Sequence, residues 1–386
     1  MLGAIIGDIV GSRFEFNPTN NYDFELFTGD CSFTDDTICT CAIADALLDG
    51  KDYGESLHKW CRLYPHPKGS YGGRFSQWVC SDNPQPYSSF GNGAAMRVSP
   101  VAWFYKTREE VLEAAIQTAI CTHNHPEGIK GAQTVALAIY VANIQRRYIA
   151  KAADIIKIVM DECVEFSGYN IDFRKEDVEN RFDETCQGTL PVALWIINQS
   201  NGFEDAIRRS VSLGADADTL GAIVGSIAES IWGIPEIIKV SALSFLDDRM
   251  KSLLCKWRRS KTIKSIDIQM FTKKYINYFL TEFDPESPAY YRFFDSDSFP
   301  NECQSLGFEM DCGHSFFEAC GEEAWHSEKE LAIDVSKIND IKILGSGLFS
   351  KWRYYNHWAC GHATEEDKKW FLTVLRRMQE LSNNKG

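Results

Sequence analysis

The chain has 386 residues, 44% hydrophobic and 24% charged, the balance of a folded globular protein rather than a disordered or fibrous one. Its 40 basic and 54 acidic residues leave a formal charge of −14, which argues against general binding to nucleic acid or anionic membranes, because phosphates would be repelled. At roughly 150 residues per domain, the length predicts two or three units, or one large unit with an appendage.

The chain opens MLGAIIGDIVGSRF, where Asp8 breaks an apolar run that has no basic leader. Neither a signal peptide nor a membrane span is expected, here or elsewhere, since no segment reaches about 18 uninterrupted apolar residues. The 13 cysteines are scattered without tight CxxC pairs, which reads as reduced thiols in a cytoplasmic protein. Glu15 follows the first helix in a polar loop between Phe14 and Phe16; spacing alone suits a surface carboxylate as well as a catalytic one.

Residues 34–49 (TDDTICTCAIADALLD) predict a helix that stops before Gly50. Thr34 suits its N-cap, and Asp35 and Asp36 complement the helix dipole in its first turn. The segment Gly91-Asn92-Gly93-Ala94-Ala95-Met96-Arg97 is either a backbone nest for a phosphate at a helix start or an ordinary turn. Helical spacing returns at 108–121. It is interrupted by Thr122-His123-Asn124-His125, whose two histidines suit metal ligation, phosphate contact or helix-end hydrogen bonding. Zinc suits them least, without a third nitrogen or sulfur ligand nearby.

Further helices are expected over 129–144, 151–165, 190–198 and 203–212. Gly214-Ala215-Asp216-Ala217-Asp218-Thr219 then opens another over 219–231, in which Gly221 and Gly225 point to close backbone approach by a neighbour. With no alternation of period two and no βαβ pattern, this region reads as an all-α core with functional loops between helices. The basic run 256–264 reads as a solvated helix end rather than a nucleic-acid patch.

Two prolines and polar residues at 283–289 mark the expected boundary. Beyond it 17 of 104 residues are aromatic, against 32 of 282 before it, so residues 283–386 are expected to form an ordered, separately composed extension, ending in a helix over 364–382. Cys303, Cys312, His314 and Cys320, and likewise His357, Cys360 and His362, fit no regular zinc-finger spacing.

Two Asp/Thr clusters each open a helix. If they meet in space, the crowded carboxylates repel one another and their pKa values rise, unless divalent cations neutralise them. The donors are all oxygen, which suits hard ions such as Mg²⁺ or Mn²⁺.

Taken as a set, the segments GAIIGDIVGSRFE (3–15), FTDDT (33–37), GNGAAMR (91–97), THNHPEGIKGAQ (122–133) and LGADADTLGAIVGSIAE (213–229) resemble the ADP-ribosylglycohydrolase family, in that family's order, over about residues 1–260. The resemblance implies a compact orthogonal helical bundle, here a catalytic domain of residues 1–282, around two Mg²⁺ or Mn²⁺ ions. By this resemblance Thr34, Asp35, Asp36, Asp216, Asp218 and Thr219 would hold the metals, with Glu15 and Asp218 catalytic. Gly91, Asn92, Gly93, Ala94, Met96 and His123 would bind ADP-ribose around its diphosphate. Ala215 stands where relatives often carry glycine, a tolerable methyl unless the position needs positive φ.

The implied activity is metal-dependent hydrolysis of the glycosidic bond at the anomeric ribose carbon, acting on ADP-ribosylated protein side chains. A non-catalytic ADP-ribose reader, an immunity-type protein that occludes a toxin, and a hydrolase of ADP-ribosylated nucleic acid or small ADP-ribose derivatives are the alternatives. The extension lies outside the shared motifs and is expected to serve as structure, lid or surface for a protein partner.

Overall fold

The computed structural model describes residues 1–146, 148–260, 265–283, 298–306, 308, 335–357 and 364–383. The fold is all-α. Among the described residues there is no strand, only the isolated bridges Thr34–Lys68 and Gly91–Thr185. The helices run α1 (Leu2–Gly11), α2 (Asp35–Asp49), α3 (Tyr53–Leu63), α4 (Gly73–Cys80), α5 (Gly93–Arg97), α6 (Ser99–Phe104), α7 (Arg108–Ile120) and α8 (Pro126–Gln145). They continue as α9 (Ala152–Ser167), α10 (Lys175–Val178), α11 (Cys186–Gln199), α12 (Phe203–Val211), α13 (Ala217–Trp232), α14 (Glu236–Leu243) and α15 (Asp248–Ser260). After these come α16 (Ser265–Thr281), α17 (Ser298–Ser305), α18 (Ile341–His357) and α19 (Glu365–Asn383). No helix among the described residues is long and apolar enough to cross a membrane.

The chain divides into two compact units, Met1–Arg259 and Ser260–Gly386. The division falls ahead of the boundary expected at 282/283. A boundary at the proline cluster leaves α16 in the first domain, yet its Ile268, Phe271, Tyr275 and Phe279 share one apolar cluster with Phe371, Leu375 and Met378 of α19. The Phe279 and Phe371 rings stack 4.9 Å apart, so the aromatic surplus of the C-terminal sequence forms the core of its own unit. Residues 284–289 of the expected linker lie outside the described residues, as do residues 261–264 of the basic run and Cys312, His314, Cys320, Cys360 and His362.

In the first unit the decisive contact is α1 against α13. Gly3, Gly7 and Gly11 recur every four residues and so form one stripe along α1. On α13 the facing stripe is Ala217, Gly221 and Gly225. The two backbones touch: a Cβ built on Gly7 would stand 1.9 Å from the Gly221 carbonyl oxygen, and one on Gly3 2.1 Å from that of Gly225. A methyl has no room there. The Met1 ammonium group and the Gly3 N–H close the far end on the Glu229 carboxylate at 2.6 and 2.8 Å.

Asp8, also on α1 and fully buried, ties in the start of α2. Its carboxylate accepts from the Thr34 hydroxyl at 2.8 Å and from the backbone N–H groups of Thr34 and Thr37, both at 3.0 Å. The Thr37 hydroxyl donates to it as well. Thr34 in turn caps α2 by accepting from the Asp36 N–H at 3.3 Å.

Gly7→Ala is predicted to lower unfolding stability by about 3 kcal/mol, since the added methyl must force two packed backbones apart. Gly29→Ala, where a Cβ meets nothing within 4 Å, is the matched control and should leave the denaturation midpoint unchanged.

Candidate active site

A cavity of about 260 Å³ opens where the ends of α1 and α13 meet the start of α2. One wall is acidic: Glu15, Asp35, Asp36, Asp216 and Asp218, with Thr219 beside them. A second part of the lining holds Gly91, Asn92, Gly93, Met96 and His123. Thr34 and Ala94 do not line the cavity. Both are buried, Thr34 as the hydroxyl bridge between Asp8 and α2, and Ala94 in the apolar core.

The four aspartates are placed by the starts of two helices. The first turn of α2 presents Asp35 and Asp36. Asp216 and Asp218 flank the start of α13, where the Thr219 N–H donates to Asp218 Oδ1 at 2.9 Å and the Thr219 hydroxyl reaches Asp36 Oδ2 at 3.3 Å. Asn92 Nδ2 donates to Asp216 Oδ2 at 2.9 Å and so joins the two walls. The turn into α13 takes its left-handed residue at Gly214, φ 72°. Ala215 has no such backbone, and its methyl is accommodated.

Burial and mutual repulsion dominate the electrostatics. Burial first, then the Asp218 charge, pushes both Asp35 and Asp36 well above the ordinary carboxylate range. Burial and then the Asp216 charge do the same to Asp218. Asp216 rises to about 6 through burial, held back by its bond from Asn92. Glu15 is pushed up to about 8 by burial, by the Asp218 charge and by a hydrogen bond with Asp218.

Asp36 Oδ1 and Glu15 Oε2 are buried without a hydrogen-bond partner. Carboxylate oxygens left so are costly, and hard divalent cations remove that cost while suiting an all-oxygen donor set. Among the described residues no three His, Cys, Asp or Glu side chains already close around one point. The fit therefore rests on the chemistry of the donors and the orphaned oxygens, not on a preformed shell.

The two histidines of the 122–125 segment have separate tasks. His125 Nδ1 accepts from the Glu127 N–H at 3.1 Å and caps α8. His123 faces the cavity, its pKa held well below the ordinary value by burial and then by Arg97 and Arg74. The glycine segment reads less simply than a helix-end phosphate nest, because α5 has only 5 residues and too little dipole to act as one. What Gly91 and Gly93 supply is space beside His123.

Sequence reasoning missed the cavity residues Ser70, Arg74, Tyr87, Phe182 and Glu184. Ser70 at φ 74° follows Gly69 at φ 81°, and a Cβ on Gly69 would stand 2.4 Å from Glu15 Oε2. The run Lys68-Gly69-Ser70-Tyr71-Gly72-Gly73 was the available signal for this tight turn.

The chain is similar in sequence to several known proteins. A chain from Pseudomonas putida (strain GB-1) described as the ADP-ribosylarginine hydrolase Tri1 is 26% identical over 320 residues, covering 71% of this chain and 81% of the relative. The ADP-ribosylhydrolase ARH3 of Danio rerio is 24% identical over 305 residues, covering 61% and 82%. The ADP-ribosyl-[dinitrogen reductase] glycohydrolase of Rhodospirillum rubrum is 26% identical over 260 residues, covering 61% and 85%. Residues 1–257, which carry every wall of the cavity, match the ADP-ribosylglycohydrolase family throughout, and the chain is an enzyme belonging to that family of glycosidic-bond hydrolases.

Proposed function

We propose that the chain hydrolyses the bond between the anomeric ribose carbon of ADP-ribose and a modified protein side chain, with two divalent cations, Mg²⁺ or Mn²⁺, as cofactors. The observation that carries this reading is one cavity lined both by buried, mutually repelling carboxylates and by a neutral histidine beside two glycines. Asp35, Asp36, Asp216, Asp218 and Thr219 would hold the cations, with Thr34 setting the position of Asp36 from behind. When bound, such ions neutralise the carboxylates and supply Lewis-acid activation of water.

The remaining work belongs to the chain. Glu15 lines the same cavity as the cation-holding carboxylates and takes the proton of the attacking water. The charge of Asp218 bears on Glu15 and raises its proton affinity. As the bond breaks, the ribose gains oxocarbenium character, which the surrounding anionic oxygens stabilise, while the released side chain takes the bonding electron pair and then the proton that Glu15 removed from water. His123 anchors the diphosphate in the space that Gly91 and Gly93 leave open, so that binding energy gained away from the reacting carbon positions it.

One feature favours a guanidinium as the side chain released. Phe182 and Glu184 are exposed on the cavity wall, and the charge of Glu184 bears on both Glu15 and Asp216. An aromatic face and a carboxylate together suit a cationic, planar leaving group. The relative described as an ADP-ribosylarginine hydrolase supports the same acceptor.

The direct test is release of ADP-ribose from an arginine-modified protein. Turnover should stop in EDTA and return with Mg²⁺ or Mn²⁺; undiminished turnover in EDTA would remove the cations from the account. Glu15→Gln should lower kcat by about 10²-fold or more while leaving ADP-ribose affinity within about threefold. Full kcat in that variant would pass the base role to another group. Glu184→Gln should raise KM for the arginine-linked substrate severalfold without changing ADP-ribose affinity, and an equal effect on both would place Glu184 on the ADP-ribose side instead.

A further inference from the structure

His123 sits between a hydroxyl and two glycines. Thr122 Oγ1 lies 2.7 Å from its Nδ1. Its Nε2 faces Gly91 and Gly93, where a Cβ would stand 3.7 and 3.2 Å away. Which nitrogen carries the proton is decided one residue further back. Arg97 is 1% exposed, and its Nη2 donates to the Thr118 carbonyl at 2.9 Å and to Thr122 Oγ1 at 2.8 Å.

A guanidinium has donors only, so Thr122 Oγ1 accepts from Arg97. If Nδ1 also carried a proton, the hydroxyl would accept twice and its own hydrogen would be left unpaired inside the protein, where Thr122 is fully buried. The satisfied network runs one way, from Arg97 to Thr122 to Nδ1, which leaves the ring proton on Nε2.

We infer that Arg97 and Thr122 are positioning residues that lock His123 in its Nε2–H tautomer and aim that donor past Gly91 and Gly93 at an anionic oxygen of the ligand. The inference rests on the reading of His123 as the diphosphate contact. Two further observations support it. The Thr122 carbonyl accepts from the Tyr87 and Ser89 N–H groups at 3.3 and 3.4 Å, which fixes the backbone that carries the hydroxyl. The ring is also kept neutral by burial and by Arg97 and Arg74, so it owns a single N–H whose placement decides what it can bind.

The test uses the full chain labelled with ¹⁵N-histidine, with His123→Gln to assign the resonances. Long-range ¹H–¹⁵N spectra of the wild type and of Thr122→Ser should show the proton on Nε2 and none on Nδ1 between about pH 6 and 8. Thr122→Val should show mixed tautomers and bind ADP-ribose about tenfold more weakly, with Thr122→Ser within about twofold of wild type. A wild-type proton on Nδ1 overturns the inference. So does a Thr122→Val variant that keeps a single Nε2–H tautomer and full affinity. The spectra need no ligand: a wild type that is locked in the Nε2–H form but binds no ADP-ribose would overturn the diphosphate reading, and with it the aim of the donor, while the lock itself stands.

Discussion

The structure depends on two helices that touch through their backbones. Along α1 and α13 the facing positions are glycine or alanine, and the Gly7 and Gly221 peptides meet with no space for a methyl between them. Side chains of ordinary size would separate the axes by several ångströms. At this distance the end of α1, with Glu15 in the loop beyond it, is brought beside Asp216 and Asp218 at the start of α13. Asp8 then carries the same constraint to a third element. It spends its whole hydrogen-bonding capacity on Thr34 and Thr37, which fixes where the first turn of α2 presents Asp35 and Asp36.

The electrostatic consequence follows from the packing. Carboxylates delivered by rigid elements cannot move apart to relieve their repulsion, so the strain appears as raised proton affinity at Asp35, Asp36 and Asp218. Protonation relieves such strain, and so does cation binding; the unpartnered oxygens of Asp36 and Glu15 suit the second. The remainder of the cavity is arranged in the opposite sense. Arg74 and Arg97 line it as cations, and His123 is held neutral, which offers an anionic ligand an N–H donor beside two full positive charges.

Much of this was legible before any coordinates. Helical spacing over 108–121 and 219–231 anticipates α7 (Arg108–Ile120) and α13 (Ala217–Trp232), because amphipathic periodicity and small-residue runs are local signals. Gly221 and Gly225 already pointed to close approach, and the ordered family motifs pointed to one shared site. Three features were not legible. Asp8 reads in sequence as a mere break in an apolar run, since its partners stand 26 and 29 positions away. The turn at Gly69-Ser70 lies far from Glu15 in sequence, and only folding presses it against that carboxylate. The division into units falls ahead of the proline cluster at 283–289, because α16 joins the aromatic core of the second unit through Phe271, Tyr275 and Phe279.

The central claim is that these helices assemble one divalent-cation site from carboxylates far apart in the chain. The most direct measurement is Mn²⁺ binding to the intact protein, followed by electron paramagnetic resonance or titration calorimetry, without substrate. The account predicts saturable binding of about two equivalents per chain, weakened at least about tenfold by either Asp36→Asn or Asp216→Asn, although these residues lie in different helical segments. Absence of saturable binding in the wild type, or affinity and stoichiometry unchanged in both variants, would contradict it.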